Sequence, residues 1–297
     1  MNTYHSFIYD SNINRILRNL NYVLSPEIPN KIKIHPSGFI KVKVKNHDSI
    51  RLKTNQTSYV TRELFWRGSD NYEYTPIFIK LVQKINDFFD VGSSIGYFSI
   101  LGANVNSNLK IHAFEPSLGA MSFLSENVKL NRFSNSIKVN HLALSDKTGP
   151  IDFMEVRNEK FPTIYNLSGE HNIGTKPNLK TIKTKVNSDT LDNYVTKEKI
   201  ENIDLIKLDT EGCEDLILKN SSSTIEKFKP IIICETLFDR IENQLAKIMS
   251  EHKYEFYNHV DNGLKKVDTL KRKSDNGIRN CFFVYPKKRH LIEEFIK

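Results

Sequence analysis

Acidic residues and glycines stand at the ends of three apolar segments of this sequence, where β-strands would end. They are Asp90, Gly92 and Gly96 at the first segment, Glu115 at the second, and Asp209 and Glu211 at the third. In an open α/β sheet, ligands bind beyond the carboxyl ends of the strands, where glycines let the backbone approach the ligand and a helix N-terminus presents free N–H groups. The sequence therefore predicts one binding site in which carboxylates surround a glycine loop.

The glycine spacing in the first loop indicates the kind of ligand. Gly92 and Gly96 are four positions apart, whereas the fingerprint of dinucleotide-binding proteins has glycines two and five positions after the first. This difference disfavours a pyrophosphate and leaves room for a nucleoside without phosphate. Asp90 would then lie near an ammonium group of the ligand, and the backbone from Gly92 to Gly96 near its carboxylate.

Glu115 follows Gly96 by 19 positions, where an acidic side chain can accept both hydrogen bonds of a ribose diol. Its alternative role is structural, because a helix is predicted to begin after Pro116 and acidic residues are favoured at helix N-termini. The occurrence of Asp90 and Glu115 together at two strand ends favours ligand binding.

Asp209 and Glu211 offer two further carboxylates at the same predicted sheet edge. Carboxylates there can stabilise a cationic group, orient an acceptor hydroxyl or take its proton. The alternative is again structural, since Glu211 and Glu214 would suit the first turn of a helix. His112 and His141 are weaker candidates for a base, because an isolated histidine in or beside a strand is more often structural.

Strand and helix signals alternate along the chain, which predicts an α/β fold with a mostly parallel, seven-stranded sheet and helices on both faces. The predicted strands are Phe88 to Val91, Lys110 to Phe114, Ile137 to Asn140, Asp204 to Leu208, Pro230 to Glu235, Tyr254 to Asn258 and Cys281 to Tyr285. The predicted helices are Tyr72 to Asn86, Tyr97 to Ala103, Leu118 to Leu130, Glu214 to Ser222 and Asp239 to Glu251.

A hairpin is predicted upstream of this core, from Ile32 to Thr54, because apolar and polar residues alternate on both sides of a turn. We expect it to cover one edge of the sheet. Lys41, Lys43 and Lys45 share its exposed face, where they could grip an anionic polymer or discourage edge-to-edge aggregation. The segment from Glu155 to Pro177 predicts a long loop that is either a lid or disordered.

These elements divide the chain into an N-terminal extension with the hairpin and helix (1–71), a core domain (72–290) and a short tail (291–297). The net charge of +8 favours anionic partners without choosing among them. Cys213, Cys234 and Cys281 lack the spacing of metal ligands or of a disulfide framework, so no metal is expected. Apolar runs fall short of the ~18 residues that span a bilayer, and no secretory signal is evident, which predicts a cytoplasmic protein.

Four short motifs give the chain a family resemblance. It resembles the FkbM-type methyltransferases, whose members carry D-V-G-A-N-x-G-Y, F-E-P, T-L-D and K-x-D-x-E-G segments in this order. The corresponding residues here are Asp90 to Tyr97, Phe114 to Pro116, Thr190 to Asp192 and Lys207 to Gly212. Ser93-Ser94 replaces the usual Ala-Asn pair, so any contact of that asparagine must come from a shorter hydroxyl or a water.

The resemblance implies a Rossmann-like class I methyltransferase fold and S-adenosyl-L-methionine as the cofactor. It also implies in-line methyl transfer to a hydroxyl of a sugar, glycan or secondary metabolite, with Asp209 or Glu211 as the first choice for any base. The residues implied to bind the cofactor are Glu73, Asp90, Gly92, Ser93, Ser94, Gly96, Tyr97, Glu115, Pro116, Ala143, Leu144 and Asp209.

Two other functions stay open at the level of sequence. A nucleic-acid methyltransferase is consistent with the net charge and with the basic groups Lys271-Arg272-Lys273 and Lys287-Lys288-Arg289. However, an Asn-Pro-Pro-Tyr type element, which would hold an extruded base, is replaced by Asp209 to Gly212. A non-catalytic cofactor-binding partner in glycan synthesis is the other possibility. The sequence does not indicate the oligomeric state.

Overall fold

The computed structural model describes residues 7–24, 29, 32–158, 163–167, 180–261 and 263–297. Its strands are β1 Gly38–Val44, β2 His47–Thr54, β3 Asp87–Val91, β4 Lys110–Phe114, β5 Ile137–Asn140, β6 Ala143–Leu144, β7 Gly149–Val156, β8 Thr181–Asp189, β9 Leu205–Leu208, β10 Ile231–Glu235, β11 Glu255–Val260, β12 Gly263–Val267 and β13 Asn280–Val284.

The helices alternate with the strands through the core. They are α1 Ser11–Val23, α2 Tyr59–Arg67, α3 Thr75–Val82, α4 Tyr97–Val105, α5 Leu118–Leu130, α6 Leu191–Lys197, α7 Glu214–Lys219, α8 Ser222–Phe228 and α9 Glu242–Glu251, with 3₁₀ turns at Ser69–Asn71, Pro286–Leu291 and Glu293–Phe295. None of the helices among the described residues has the length and apolar content needed to cross a membrane.

The central sheet has eight strands in the order β12-β11-β13-β10-β9-β3-β4-β5. Strands β10, β9, β3, β4 and β5 pair in parallel, whereas β13 is antiparallel to both of its neighbours and β12 is antiparallel to β11. The predicted α/β fold with a mostly parallel sheet is confirmed. All seven predicted strands are present, and β12 is an eighth at the edge. Strands β4 and β5 are added on one side of β3, and β9 and β10 on the other. This reversal of the strand order between β3 and β9 opens a crevice beyond their carboxyl ends.

Helices cover both faces of this sheet because successive residues of its central strands are buried on opposite sides. Phe88 packs in one core with Phe78 and Ile100 of the helices on that face. The next residue, Phe89, packs in the other core with Ile217 and Leu245. This two-sided burial explains why the strands read as continuous apolar runs rather than as an alternating pattern.

The N-terminal hairpin lies elsewhere than the sequence suggests. Strands β1 and β2 form their own two-stranded sheet, and β2 packs against α4 and α5 rather than on an edge of the central sheet. Two asparagines of α5 hold it there. Asn131 accepts from Arg51 N at 2.9 Å and donates to Arg51 O at 2.7 Å, and Asn127 donates to Lys53 O at 3.2 Å. These side-chain amides bond to the backbone N–H and C=O groups of β2 that would otherwise have needed a neighbouring strand.

A second small sheet, with the order β6-β8-β7, was not predicted. The residues of β8 are mostly exposed or half-buried, but Ile182, Thr184 and Val186 alternate with Lys183, Lys185 and Asn187, which is a strand signal that the prediction missed. The predicted loop from Glu155 to Pro177 connects β7 to β8, and its residues 159–162 and 168–179 lie outside the described residues.

Most helix predictions hold within two or three residues, with one division. The predicted helix from Glu214 to Ser222 is two helices, α7 and α8, which meet at Ser221. The helix predicted from Asp239 begins at Glu242, because Asp239 has a left-handed backbone with φ 55°. The N-terminal extension, for which a helix was predicted without bounds, contains two, α1 and α2. Helix α6 was not predicted.

Gly92 marks the closest approach of β3 to β9 and gives a test of this packing. Its φ is 75°, and a Cβ there would lie 1.9 Å from the carbonyl oxygen of Asp209. We expect Gly92→Ala to lower the free energy of unfolding by about 3 kcal/mol or more, because backbone strain and a backbone clash add. Urea denaturation measures the change.

Gly277→Ala is the matched control. Gly277 has a similar φ of 79°, with nothing within 4 Å of its Cβ position, so we expect a loss of only about 1 kcal/mol. Equal losses for the two variants would show that the close approach at Gly92 has no energetic weight.

Candidate functional site

A cavity of about 1020 Å³ opens at the crevice beyond the carboxyl ends of the central strands. Its lining includes most of the residues that the sequence singled out, namely Glu73, Gly92, Ser94, Glu115, Pro116, Ala143, Leu144, Asp209 and Glu211. The lining does not include the remaining ones, Asp90, Ser93, Gly96 and Tyr97. The structure thus brings together residues that lie up to 138 positions apart in the chain, from Glu73 to Glu211.

The glycine loop is held from below by the neighbouring strand. The backbone N–H groups of Gly92 and Ser93 both donate to the carbonyl oxygen of Phe114, at 3.0 and 2.9 Å. The Ser93 hydroxyl is buried and donates to the Asp90 carbonyl oxygen at 2.6 Å. Gly96 has φ 90°, and a Cβ there would lie 2.5 Å from Leu124. Ser93 and Gly96 therefore shape the loop instead of facing the cavity.

Asp90 lies beneath the cavity, so the structure does not favour its expected direct contact with a ligand ammonium group. Its side chain is fully buried and accepts from the Ser99 hydroxyl at 2.6 Å. It also faces Lys207, with 3.5 Å between Oδ1 and Nζ. The same ammonium group lies 3.2 Å from Asp209 Oδ2 and donates to the Gly92 carbonyl oxygen at 3.1 Å.

Lys207 is a site residue that sequence reasoning included in a motif but gave no role. Burial alone would lower the pKa of its ammonium group, but Asp209, Asp90 and Glu73 together raise that pKa above its usual value. Lys207 therefore stays charged while 4% of its surface is exposed. The signal that could have found it is a lysine inside an otherwise apolar strand, two residues before a carboxylate, since residues i and i+2 share one face.

Glu115 has the structural role that the sequence left open, and it also lines the cavity. Its Oε2 accepts from Ser94 N and its Oε1 from Ser117 N, both at 2.9 Å, so it fixes the loop and the start of α5. Burial raises its pKa to about 7 against the lowering effect of these two bonds. A carboxylate has about four acceptor positions, and Glu115 still lines the cavity, so it can also accept hydroxyl groups of a ligand.

Ser94 adopts a left-handed backbone conformation, with φ 51°. Asparagine tolerates this conformation better than most residues, because its side chain can bond to the local backbone. Ser94, which stands where the family usually has asparagine, therefore has a backbone conformation that suits asparagine.

The opposite end of the cavity is acidic. Oxygen atoms of Asp209, Glu211 and Glu235 lie within 4.8 Å of one another. Burial, Asp209 and Glu211 raise the pKa of the Glu235 carboxyl well above its usual range. The Glu73 side chain is exposed to the cavity, but the protein around it displaces much of its water. This desolvation and the nearby Asp209 carboxylate raise the pKa of Glu73 to about 7.

Glu235 was missed as a site residue, although it ends an apolar strand just as Asp90 and Glu115 do. Its Oε2 is buried without a hydrogen-bond partner among the described residues. The grouping of Glu235 with Asp209 and Glu211 has the geometry to hold a divalent cation, whereas the sequence predicts no metal. Grouped carboxylates of this kind also suit a cationic organic ligand.

Glu214 shows that part of the acidic cluster is structural, as the helix-terminus alternative predicted. It is buried, and its Oε1 accepts from both N and Oγ1 of Thr210, at 2.6 and 2.9 Å. Its Oε2 accepts from Gly212 N at 3.1 Å. Glu214 thus closes the loop that carries Asp209 and Glu211 toward the cavity.

An apolar wall faces this acidic end. It consists of Phe114, Leu142, Ala143, Leu144 and Ile151, with Pro116 beside Glu115. The wall fits the flat, weakly polar base of a nucleoside. Part of the remaining lining lies near α9 and β13 and mixes apolar with charged side chains, among them Leu237, Phe238, Arg240 and Arg279. Another part comes from α2, β7 and β8, with Tyr59, Met154 and Lys183.

The two histidines lie outside the cavity lining. The His112 ring bonds to the Tyr194 hydroxyl at 2.8 Å and stacks on Phe89, and burial lowers its pKa to about 4. His141 is exposed and bonds to the Pro116 carbonyl oxygen. Tyr97 is also away from the lining, since it is buried with its hydroxyl 3.1 Å from that of Thr75.

The basic groups considered for nucleic-acid binding are partly committed to the fold. Arg272 is buried against Glu242 and donates to the Thr236 carbonyl oxygen at 2.6 Å. Lys288 is half-buried, donates to the Phe228 carbonyl oxygen at 3.3 Å and lies 3.8 Å from Asp204. These contacts weaken the case for a phosphate-binding surface there.

The fold and the cavity define a Rossmann-like α/β protein with a ligand site at the point where the strand order reverses. The model of the FkbM methyltransferase domain family matches residues 90–258, which is more than half of the chain. The chain belongs to this family. No curated protein sequence matches it.

Several solved structures are similar to the chain, all at low identity. An FkbM methyltransferase from Methylobacillus flagellatus KT is 15% identical with a TM-score of 0.44, over 67% of this chain and 43% of that one. The chain therefore spans less than half of that protein. A precorrin-6y C5,15-methyltransferase from Geobacter metallireducens GS-15 is 9% identical with a TM-score of 0.42, over 78% and 93%. An O-methyltransferase from Bacillus cereus in complex with SAH is 12% identical with a TM-score of 0.40, over 70% and 79%.

The raised pKa of Glu115 predicts pH-dependent cofactor binding. Near pH 7 this carboxyl group is about half protonated, and a proton on it competes with a hydroxyl donor of the ribose. We therefore expect the affinity for S-adenosylmethionine, measured by calorimetry, to rise as the pH increases from about 6 to about 8.

Glu115→Gln isolates this effect. The amino group of the cofactor also titrates near this range, so the informative quantity is the difference between the pH profiles of wild type and variant. We expect the variant to bind about tenfold more weakly at high pH and to lose the additional rise. Glu73 also titrates near pH 7, so Glu73→Gln should lose its own part of the rise but keep the part that Glu115→Gln removes. Parallel profiles for wild type and Glu115→Gln would exclude Glu115 as a ribose ligand.

The left-handed backbone of Ser94 predicts that restoring the asparagine stabilises the loop. We expect Ser94→Asn to raise the free energy of unfolding by about 0.5 kcal/mol and not to weaken cofactor binding. Ser94→Val should lower stability by about 1 to 2 kcal/mol, because a β-branched residue is strained at this φ. Equal stability of the three proteins would show that this backbone position is not constrained.

Proposed function

We propose that the protein is an S-adenosylmethionine-dependent methyltransferase that methylates a hydroxyl group of a sugar, glycan or secondary metabolite. The observation that carries the proposal is the charge of the cavity. Glu73, Asp209, Glu211 and Glu235 line the cavity, and the buried ammonium group of Lys207 interacts with Asp209 and Glu73 among them. A ligand that carries a sulfonium and an ammonium group would balance this excess of carboxylates.

The rest of the cavity fits the remaining parts of this cofactor. Glu115 is positioned to accept the ribose diol, and the wall around Phe114 and Leu144 to contact the adenine. The loop from Gly92 to Ser94 would border the methionine part. Lys207 pairs with Asp209 at this end of the cavity. It also pairs with Asp90, which supports the loop from beneath. The cofactor supplies an activated methyl group when it is bound.

The carboxylates divide the remaining work. Asp209 is paired with Lys207, which makes it suited to hold a cationic group rather than to take a proton. Glu211 lines the cavity and belongs to a loop that Glu214 fixes through Thr210 and Gly212. We assign Glu211 to orient the acceptor hydroxyl and to accept its proton as the oxygen attacks. The side chains near α9 would hold the rest of the acceptor.

Calorimetry followed by transfer assays tests the proposal and separates binding from catalysis. Purified protein is titrated with S-adenosylmethionine and then incubated with methyl-labelled cofactor and extracts of glycans and small metabolites. Binding with transfer of label to a hydroxyl compound supports the proposal. Binding without any transfer would instead support a non-catalytic partner, and label in nucleic acid would support the alternative methyltransferase.

Substitutions of the two carboxylates should have different effects on the reaction. We expect Glu211→Gln to lower kcat about 100-fold with little change in cofactor affinity, because a proton acceptor is lost. Asp209→Asn should weaken cofactor binding as well, since it leaves the Lys207 charge less balanced. Steady-state kinetics and calorimetry measure the two effects.

Asp215→Asn is the control, because this acidic residue belongs to the same segment but not to the cavity lining, and its kinetics should match wild type. Unchanged kcat in Glu211→Gln would remove Glu211 from the mechanism. The same assay with EDTA tests the carboxylate group as a metal site. We expect no change, and a loss that added Mg²⁺ restores would assign Asp209, Glu211 and Glu235 to a cation.

A further inference from the structure

Helix α1 packs against the protein through its polar side. Asn14 and Arg18 are buried, with 0% and 3% of their surfaces exposed. Asn14 donates to the His35 carbonyl oxygen at 3.0 Å. Arg18 donates to Asn14 Oδ1 at 2.8 Å and to the Ser37 carbonyl oxygen at 2.7 Å. These bonds fix the rotation of the helix about its axis.

The apolar side of α1 faces outward as a result. Ile16, Leu20 and Val23 have 59%, 60% and 78% of their surfaces exposed, and Leu24 at the end of the helix has 59%. The spacing of the first three, i, i+4 and i+7, is that of one helix face. A surface helix normally buries its apolar face, whereas in α1 only Ile13 and Leu17 are half-buried and the rest of the apolar face is exposed.

Positive charge is concentrated in the same part of the chain. The first 71 residues contain eleven lysine or arginine and five aspartate or glutamate residues, so six of the eight net positive charges belong to them. Lys41, Lys43, Lys45 and Arg51 are exposed on the hairpin. Strand β1 of this hairpin is the strand that α1 contacts, and Arg18 donates to the Phe39 carbonyl oxygen within it.

We propose that α1 and the β1–β2 hairpin form a surface that docks the protein on a bilayer containing anionic phospholipids. An exposed apolar helix face that packs on a hairpin with several exposed cations matches the two contributions to interfacial binding, which are burial of apolar side chains and attraction to anionic headgroups. The apolar face alone would equally suit a second copy of the chain. Self-association would bring two strongly positive extensions together, so the charge favours an anionic partner.

Vesicle sedimentation with the full chain tests the proposal. The probes are vesicles of phosphatidylcholine alone and of phosphatidylcholine with about 30% phosphatidylglycerol. We expect binding to the anionic vesicles at least about tenfold tighter than to the neutral ones, weakening as salt is added. Equal or negligible binding to both would overturn the proposal.

Paired variants separate the two contributions. We expect Leu20→Ser with Val23→Ser to weaken binding about tenfold, and Lys41→Glu with Lys43→Glu to weaken it to a similar extent. All four residues are exposed, and circular dichroism checks that the variants fold. Loss with the charge variant alone would reduce the surface to a general polyanion site and would overturn the role of α1.

Matched controls come from the core domain. Leu118→Ser with Ile182→Ser removes two apolar side chains that are also exposed, and Lys247→Glu with Lys265→Glu reverses two exposed charges. Both should bind as wild type does. Analytical ultracentrifugation examines the other occupant of the face. A dimer that Leu20→Ser with Val23→Ser dissociates, together with absence of vesicle binding, would assign the face to a second copy.

Discussion

The buried ammonium group of Lys207 is the interaction on which the site depends. It lies between Asp90 at the end of β3 and Asp209 after β9, and it donates to the carbonyl oxygen of Gly92. These two strands flank the crevice where the strand order reverses. Removing a charged group from water is costly, and only close oppositely charged partners and hydrogen bonds offset that cost. Lys207 therefore fixes the width of the crevice and the position of Asp209 together.

The same crevice constrains the backbone around it. Gly92 has no room for a Cβ because the Asp209 carbonyl oxygen is so close. The loop that follows is tied to the N-terminal hairpin by Asn127, whose amide donates both to the Ile95 carbonyl oxygen at 3.0 Å and to that of Lys53 at 3.2 Å. One helix side chain thus links the glycine loop with a strand of the N-terminal extension. The hairpin therefore supports the glycine loop, in addition to forming part of the proposed membrane-docking surface.

The parts of the fold that the sequence predicted are those with strong, regular patterns. Seven strands of the central sheet and the glycine loop are in this group, as is the convergence of Glu115, Asp209 and Glu211 on one cavity. The packing of β2 on α5 could not be predicted, because it depends on Asn131 and a second asparagine bonding to a strand edge across the fold. Strand β8 was missed although Ile182 and Val186 alternate with polar residues, because most of the strand is exposed or half-buried and adds little to the apolar core.

The choice between direct and indirect roles also needs three dimensions. Asp90 and Glu115 both end apolar strands, but only Glu115 reaches the cavity lining, since the Asp90 carboxylate is held below by Ser99 and Lys207. Side chains of adjacent residues point to opposite faces of a sheet, and a shift of one residue in where a strand ends decides whether its last acid faces ligand or core. Sequence gives the strand, but not that final residue.

The net charge of the whole chain also differs from the charge of the cavity. The net charge of +8 suggests an anionic ligand, yet the cavity is lined by Glu73, Asp209, Glu211 and Glu235 and suits a cationic one. Most of the excess positive charge lies in the first 71 residues, whereas the carboxylates are gathered at the carboxyl ends of the central strands. The sign of the total charge therefore does not indicate the ligand that the cavity would select.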